Sequence, residues 1–313
     1  SSGVTGGSGT ADDPYVISGW DISTEDIGGC IFLWRTTSYY VIRDCHVHCA
    51  DAVCIEVQEA PHGVIENCVV DAGSIGIFAT ESSYTNITGN IVTNMTTLGI
   101  CVGSSVWVNV TGNTATDDGL FGMAVEFVDH VTCTDNVVSD NNRTGLDIFN
   151  VANVTVTGNN FSGNGQDGIF VNEARDLIIR GNNITSNLAC GVNVTAATSV
   201  SISHNRFVAN HVQAIQTVPT GVLWDDGYPG GGNYWSDYGG VDLMSGPGQN
   251  LSGGDGLGDT PYVISALASD RYPFMSDPFV PVPEFADLAL PMAGLVLIFA
   301  IWRQRRVSIA GKS

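Results

Sequence analysis

Short runs in which apolar residues alternate with Thr, Ser and Asn recur along most of the chain, as in Asn153-Val-Thr-Val-Thr157. A period of two marks strands with one buried face, and no stretch holds the helical run that an ankyrin-type or tetratricopeptide unit needs. The alternation is itself periodic. Asparagine stands at Asn67, Asn90, Asn113, Asn136, Asn159, Asn182 and Asn205, always 23 residues apart, with Asp44 one interval earlier. Glycine stands at 76, 99, 122, 145, 168 and 191 with the same interval, and Ala214 completes that column. Three residues before each asparagine the chain is apolar, from Val41, Val64 and Ile87 to Ile202; two residues after it the same holds, with His46 and Ala115 as exceptions.

A unit of 23 residues with two or three short strands and Gly/Asn turns predicts an all-β, right-handed parallel β-helix of about eight coils, stacked at about 4.8 Å. The asparagine column predicts a ladder of amides bonded to one another, and the glycine column marks a place that needs either positive φ or close backbone approach. The motif Cys54-Ile55-Glu56-Val57 lies 22 residues before Gly76-Ile77-Phe78-Ala79 and 24 after Cys30-Ile31-Phe32-Leu33, which places one extra residue between Asp44 and Cys54. On this pattern residues 1–19 form an N-terminal cap, 20–220 the coils, 221–280 a C-terminal cap with an Asp/Gly loop, 281–287 a linker, 288–302 an apolar span and 303–313 a basic tail.

Composition narrows what such a rod does. Of 313 residues only 14% are charged, 32 acidic against 11 basic, and the net charge of −21 leaves no basic face for nucleic-acid phosphates. Leu288 to Trp302 is uncharged, about 22 Å long as a helix, and is followed by Arg303, Arg305 and Arg306. A short transmembrane helix with its arginines in the cytoplasm and residues 1–280 outside is the expectation. Nine Asn-x-Ser/Thr sequons, at Asn86, Asn94, Asn109, Asn142, Asn153, Asn160, Asn183, Asn193 and Asn250, suit an extracellular glycoprotein.

Two resemblances add to this. The opening Gly9-Thr-Ala-Asp-Asp-Pro-Tyr-Val-Ile17, the coils, and the closing Gly232-Asn-Tyr-Trp-Ser-Asp-Tyr238, Gly254-Asp-Gly-Leu-Gly-Asp-Thr-Pro-Tyr262 and Asp270-Arg-Tyr-Pro273 resemble NosD-like β-helix proteins of archaeal cell surfaces. Pro283-Glu284-Phe285, ahead of the apolar run and the arginines, looks like a PEF-CTERM sorting signal, which implies an archaeosortase partner, tail removal and membrane attachment at the cell surface. Together they imply a surface-anchored structural, adhesive or carbohydrate-binding protein whose partners are envelope glycans or other surface proteins.

The residues leave other chemistry open. Cys45, His46, His48 and Cys49, with Cys54 and His62 nearby, form the one soft-metal cluster, a candidate copper site. Cys45 and Cys68 share a column, as do Cys30 and Cys54, and either pair falls within disulfide reach. Asp255 and Asp259, spaced by glycines, with Asp242 and Asp237, predict a structural calcium site. Glu126, Asp147 and the pair Asp117-Asp118 are the carboxylate groupings along the coils, expected on turns or solvated faces, and Glu126 and Asp147 are the candidates for acid–base work in a polysaccharide lyase or glycoside hydrolase.

Overall fold

The computed structural model describes residues 3–24, 28–218 and 221–279. The chain divides into two units, residues 1–276 and 277–313. Pro283, Glu284, Phe285, the apolar span 288–302 and the arginine tail lie outside the described residues, among which no helix is long and apolar enough to cross a membrane.

The first unit is a parallel β-solenoid of about nine turns. Each coil contributes a strand to each of three parallel sheets. Sheet 1 starts with Tyr15–Ser18, Tyr40–Arg43 and Gly63–Glu66; sheet 2 with Asp21–Thr24 and His46–Cys49; sheet 3 with Ile31–Trp34 and Val53–Gln58. In several coils one long strand, such as Thr144–Thr157, serves sheet 3 and then bends into sheet 1. The turn that the asparagine count omits is the first, residues 15–34, where Gly19 precedes the column that Asp44 opens.

The register corrects one reading of the repeat. Val69 pairs with Ile91 and Val64 with Asn86, so the coil after Asn67 holds 22 residues and all earlier columns shift by one. Asn67 is therefore exposed and outside the ladder, and Cys68 takes the ladder position beside Asn90. The same shift explains the apparent exception at His46. Val47 and Val70 point inward at 0% exposure, in register with Val92, whereas His46 points out; on sheet 1 Ile42 and Ile65, not Val41 and Val64, are the core residues. Columns of Ile, Val, Leu and Met from the three sheets fill the interior, each fully buried side chain stabilising the fold by about 1.5–3 kcal/mol.

Two asparagine ladders line the core. The first runs Asn90, Asn113, Asn136, Asn159, Asn182 and Asn205 to Asn233: Asn90 Oδ1 accepts the Cys68 N–H, each later Oδ1 accepts from the backbone N–H and the side-chain amide of the residue one coil earlier at 2.9–3.0 Å, and each Nδ2 also donates to a core-strand carbonyl. The second is Asp118, Asn141, Asn164, Asn187 and Asn210, again 23 residues apart, with Gln213 capping its end. It explains the glycine column. None of Gly99, Gly122, Gly145, Gly168 or Gly191 has positive φ, but a Cβ on Gly145 would lie 2.7 Å from the Gly168 carbonyl and 2.8 Å from Asn164 Nδ2. Close approach is what the column requires.

Both ends of the solenoid are closed. Residues 3–14 fold over the first strand, with Thr5 N–H donating to Val16 O at 2.7 Å and Val16 N–H to Gly6 O at 2.9 Å. At the other end Phe207, Trp235 and Tyr262 stack at 4.3 and 4.2 Å, with Trp224 buried against them, and two antiparallel hairpins follow. Such plugs keep open strand edges from pairing with other chains.

Candidate functional site

Strand alternation decides the fate of the expected copper cluster. Cys45 and Cys49 point into the core at 2% and 0% exposure, while His46 and His48 project from the opposite face of sheet 2. The four residues therefore never converge. Cys49 is bonded to Cys30, a pairing that neither column of the repeat suggested, and Cys45, Cys54 and Cys68 are free and buried. The imidazoles are held by carboxylates: His48 Nδ1 lies 2.8 Å and His46 Nε2 3.5 Å from Asp71, and His46 Nδ1 lies 3.3 Å from Asp21. Burial raises the Asp71 carboxyl, but its bonds to His48 and His46 outweigh burial and leave it below the usual carboxylate range. No group of three or more His, Cys, Asp or Glu is poised to hold a metal among the described residues.

The C-terminal acidic loop is likewise occupied by its own backbone. Asp242 accepts from the N–H groups of Asp255 and Gly256 at 2.8 Å each, Asp259 from those of Leu243 and Met244, and Asp255 from those of Gly246 and Leu257. These carboxylates turned toward amide donors organise the loop, and Asp237 bonds instead to Gln213 and Tyr262. Among the sequons, Asn94, Asn109, Asn142, Asn153 and Asn250 are exposed; the amides of Asn109, Asn153, Asn160, Asn183 and Asn193 donate to neighbouring side chains.

The carboxylates along the coils separate into two kinds. Asp118, expected on a turn, is completely buried as the first member of the second ladder. Asp147 and Glu126 do come together. Both face outward on sheet 3, where Asp147 pairs in register with Ala124, two residues before Glu126, a diagonal spacing that leaves side chains within reach of one another. Burial, then the charge of Glu126, pushes Asp147 up to about 6. Beneath them Cys101 and Ala124 also face outward yet are only 4% and 1% exposed, and burial followed by the same two carboxylates pushes the Cys101 thiol up to about 12, an inert thiol. Phe78, Phe149 and Phe170 share this outer face.

Beside this face, at the corner between sheets 3 and 1, a groove of about 780 Å³ crosses five successive coils. Its lining repeats the same turn: Ser104–Val106, Phe127–Asp129, Asn150–Ala152, Glu173–Arg175 and Ala196–Thr198. Phe127 and Phe149 meet edge to face at 5.2 Å on its border. Five coils make a channel about 19 Å long, open to solvent and lined by amides, hydroxyls, carboxylates and an aromatic ring.

A second aromatic feature, unnoticed in the sequence although its spacing is regular, is the column Tyr39, His62, Tyr84, Trp107 and His130 on the edge of sheet 1. Its rings stack at 4.7 Å for Tyr39–His62, 5.3 Å for His62–Tyr84 and 4.0 Å for Trp107–His130. Tyr84 and Trp107, which do not stack on one another, remain exposed. From His62 to His130 the column braces residues whose φ is positive, 65° at His62 and 56° at His130.

Among solved structures, full-length tailspike protein 2 of an Escherichia coli O157:H7 bacteriophage is similar over 72% of this chain and 37% of its own, with 12% identity and a TM-score of 0.53. The A-module of the mannuronan C-5 epimerase AlgE4 of Azotobacter vinelandii matches over 70% of this chain and 84% of its own, at 13% identity and a TM-score of 0.48. The chain spans about a third of the length of the tailspike structures it resembles, and at such identities the likeness is one of fold. No curated protein matches the chain. The family described as periplasmic copper-binding protein (NosD) matches residues 17–240, from the end of the first strand through the last ladder asparagine, and the chain belongs to that family.

Proposed function

We propose that this protein is an exported β-helix that binds an extended carbohydrate chain along the corner groove and the adjoining outer face of sheet 3. The observation that carries this reading is the groove itself: one backbone turn repeated in five coils gives an open channel with a regular step, which fits a polymer of repeating units. Phe127 and Phe149 supply the apolar surface against which a sugar ring packs, and Asn150, Ser104 and Thr198 supply polar groups that suit hydroxyls. The description of the family as periplasmic supports a location beyond the cytoplasm. Within this reading Pro283-Glu284-Phe285, the apolar run and Arg303, Arg305 and Arg306 tether the solenoid to the outer face of an archaeal membrane, with an archaeosortase as processing partner.

The test is retardation of the intact chain in gels cast with neutral, amino and uronate polysaccharides. Binding is expected, weakened in Phe127→Ala; mobility unchanged by any polymer would overturn the reading. A copper-handling role finds no support in the placement of Cys45, His46, His48 and Cys49, which face opposite ways.

One observation favours a second reading. Asp147, held near 6 beside Glu126, is poised to exchange a proton at neutral pH, as acid–base cleavage of a glycan requires. New reducing or unsaturated ends that vanish in Asp147→Asn would establish it.

A further inference from the structure

The charges around the groove bear on which class of glycan it holds, a selectivity that rests on the glycan-binding reading. Outward positions on sheet 3 include Glu56, Glu126 and Asp147 and, among the described residues, no Lys, Arg or His. The groove adds Asp129 and Glu173 against the single cation Arg175, whose guanidinium already lies 3.5 Å from Asp176. A polyuronate would bring a negative charge at every sugar to a face that is itself negative, on a chain of net charge −21. An uncharged glycan would bring no counter-charge to Asp147 and Glu126, whose charges already act on one another.

A protonated amine answers both conditions. Its three N–H donors match carboxylate oxygens, and hydrogen bonds between ionised partners are about twice as strong as neutral ones. The rings of Phe127 and Phe149 on the same border attract a cation through their faces. We infer that the groove and the outer face of sheet 3 select a polysaccharide bearing free, protonated amino groups, with Glu126 and Asp147 as the residues that recognise the charge.

The experiment compares three oligosaccharides of equal length, built from glucosamine, N-acetylglucosamine and galacturonate, titrated into the intact chain by calorimetry at about pH 6, where the amine carries its proton. N-acetylation removes the charge and leaves the pyranose backbone. The glucosamine oligomer is expected to bind about tenfold tighter than its acetylated counterpart. That advantage disappears in the double variant Glu126→Gln, Asp147→Asn, whose melting temperature reports that the fold is intact. Because the double variant keeps nearly all of the chain's negative charge, an advantage that persists in it reflects bulk attraction and overturns the inference. Equal binding of the acetylated oligomer, or preference for the galacturonate, overturns it too while leaving the glycan-binding reading standing. Failure of all three oligomers and of the polysaccharide gels removes the reading along with the inference.

Discussion

Asp270 ends the ladder that Asn233 carries. Oδ2 of Asp270 accepts the backbone N–H of Asn233 at 2.7 Å and the indole N–H of Trp235 at 2.8 Å, and its Oδ1 accepts the N–H of Tyr272 at 3.0 Å. A stack of amides has a donor left over at its last step, and here a carboxylate brought back from 37 residues along the chain receives it. The arrangement also fixes Gly232, where a Cβ would strike the same carboxyl group.

Replacing Asp270 should therefore open the C-terminal end. Asp270→Ala leaves three buried donors without acceptors, at about 1–3 kcal/mol each. Asp270→Asn, though of equal shape, turns an N–H₂ toward donors and should also destabilise. Thermal unfolding of the two variants checks this; a melting temperature equal to that of the parent would contradict the capping role.

The same isosteric change should act in the opposite direction at the start of the second ladder. Asp118 Oδ1 accepts from Met95 N–H at 2.9 Å, but Oδ2 is buried with no hydrogen-bond partner among the described residues. At the next three positions the atom in that place is an amide nitrogen donating to Ala115, Val138 and Phe161 carbonyls. By the constant spacing of 26 residues the acceptor facing Asp118 is the Val92 carbonyl, so an amide belongs there. Asp118→Asn should raise the melting temperature at pH 7, the reverse of Asp270→Asn.

Both carboxyls also make stability depend on pH, in a direction set by burial. Burial pushes Asp118 up to about 8 and Asp270 up to about 7, above the value of about 3.9 of an unfolded aspartate. The folded state thus binds more protons than the unfolded one. The stability these two carboxyls contribute is complete below about pH 4 and is lost as pH rises toward 7 to 8. Denaturant midpoints measured across that range should fall, and in Asp118→Asn the fall should be shallower and end nearer pH 7. A slope unchanged by the substitution would show that Asp118 is not the group responsible.

Much of the fold was legible in the sequence because a parallel solenoid repeats one set of local requirements in every coil: a column at fixed spacing is a column in space. What escaped did so for identifiable reasons. The 22-residue coil beginning near Asn67 moved the early columns by one, which hid Val47 behind His46 and put Cys68 where Asn67 had been expected. The second ladder stood in plain periodicity, but its first member is an aspartate, and a carboxylate reads as a surface residue until burial is known. Of the site, Glu126 and Asp147 could be named as carboxylates. Their grouping could be read as well, but their place on the half-buried outer face of sheet 3 could not, because it depends on which side of the strand each faces and on the coil-to-coil register. The disulfide of Cys30 was hidden for the same reason, since its partner Cys49 lies on a different strand of the next coil and not in its own column.

The glycine column and the second ladder make one structural device, and a double-mutant cycle should reveal it. Asn164 accepts from the N–H and amide of Asn141 at 3.2 and 2.9 Å and donates to Val138 O and Asn187 Oδ1 at 3.2 and 2.9 Å. Asn164→Ala strands those buried groups and should cost about 3 kcal/mol or more. Gly145→Ala drives a methyl against the Asn164 amide and the Gly168 carbonyl, an overpacking worth about 1–3 kcal/mol. If the amide were the whole obstacle, the double variant would be no less stable than Asn164→Ala alone. The Gly168 carbonyl remains in the way at 2.7 Å, so the expected result lies between: the two costs sum to more than the double variant shows, with part of the Gly145 penalty surviving. Strict additivity in urea denaturation would mean that glycine and asparagine columns run side by side independently, and that the backbone alone demands the glycine.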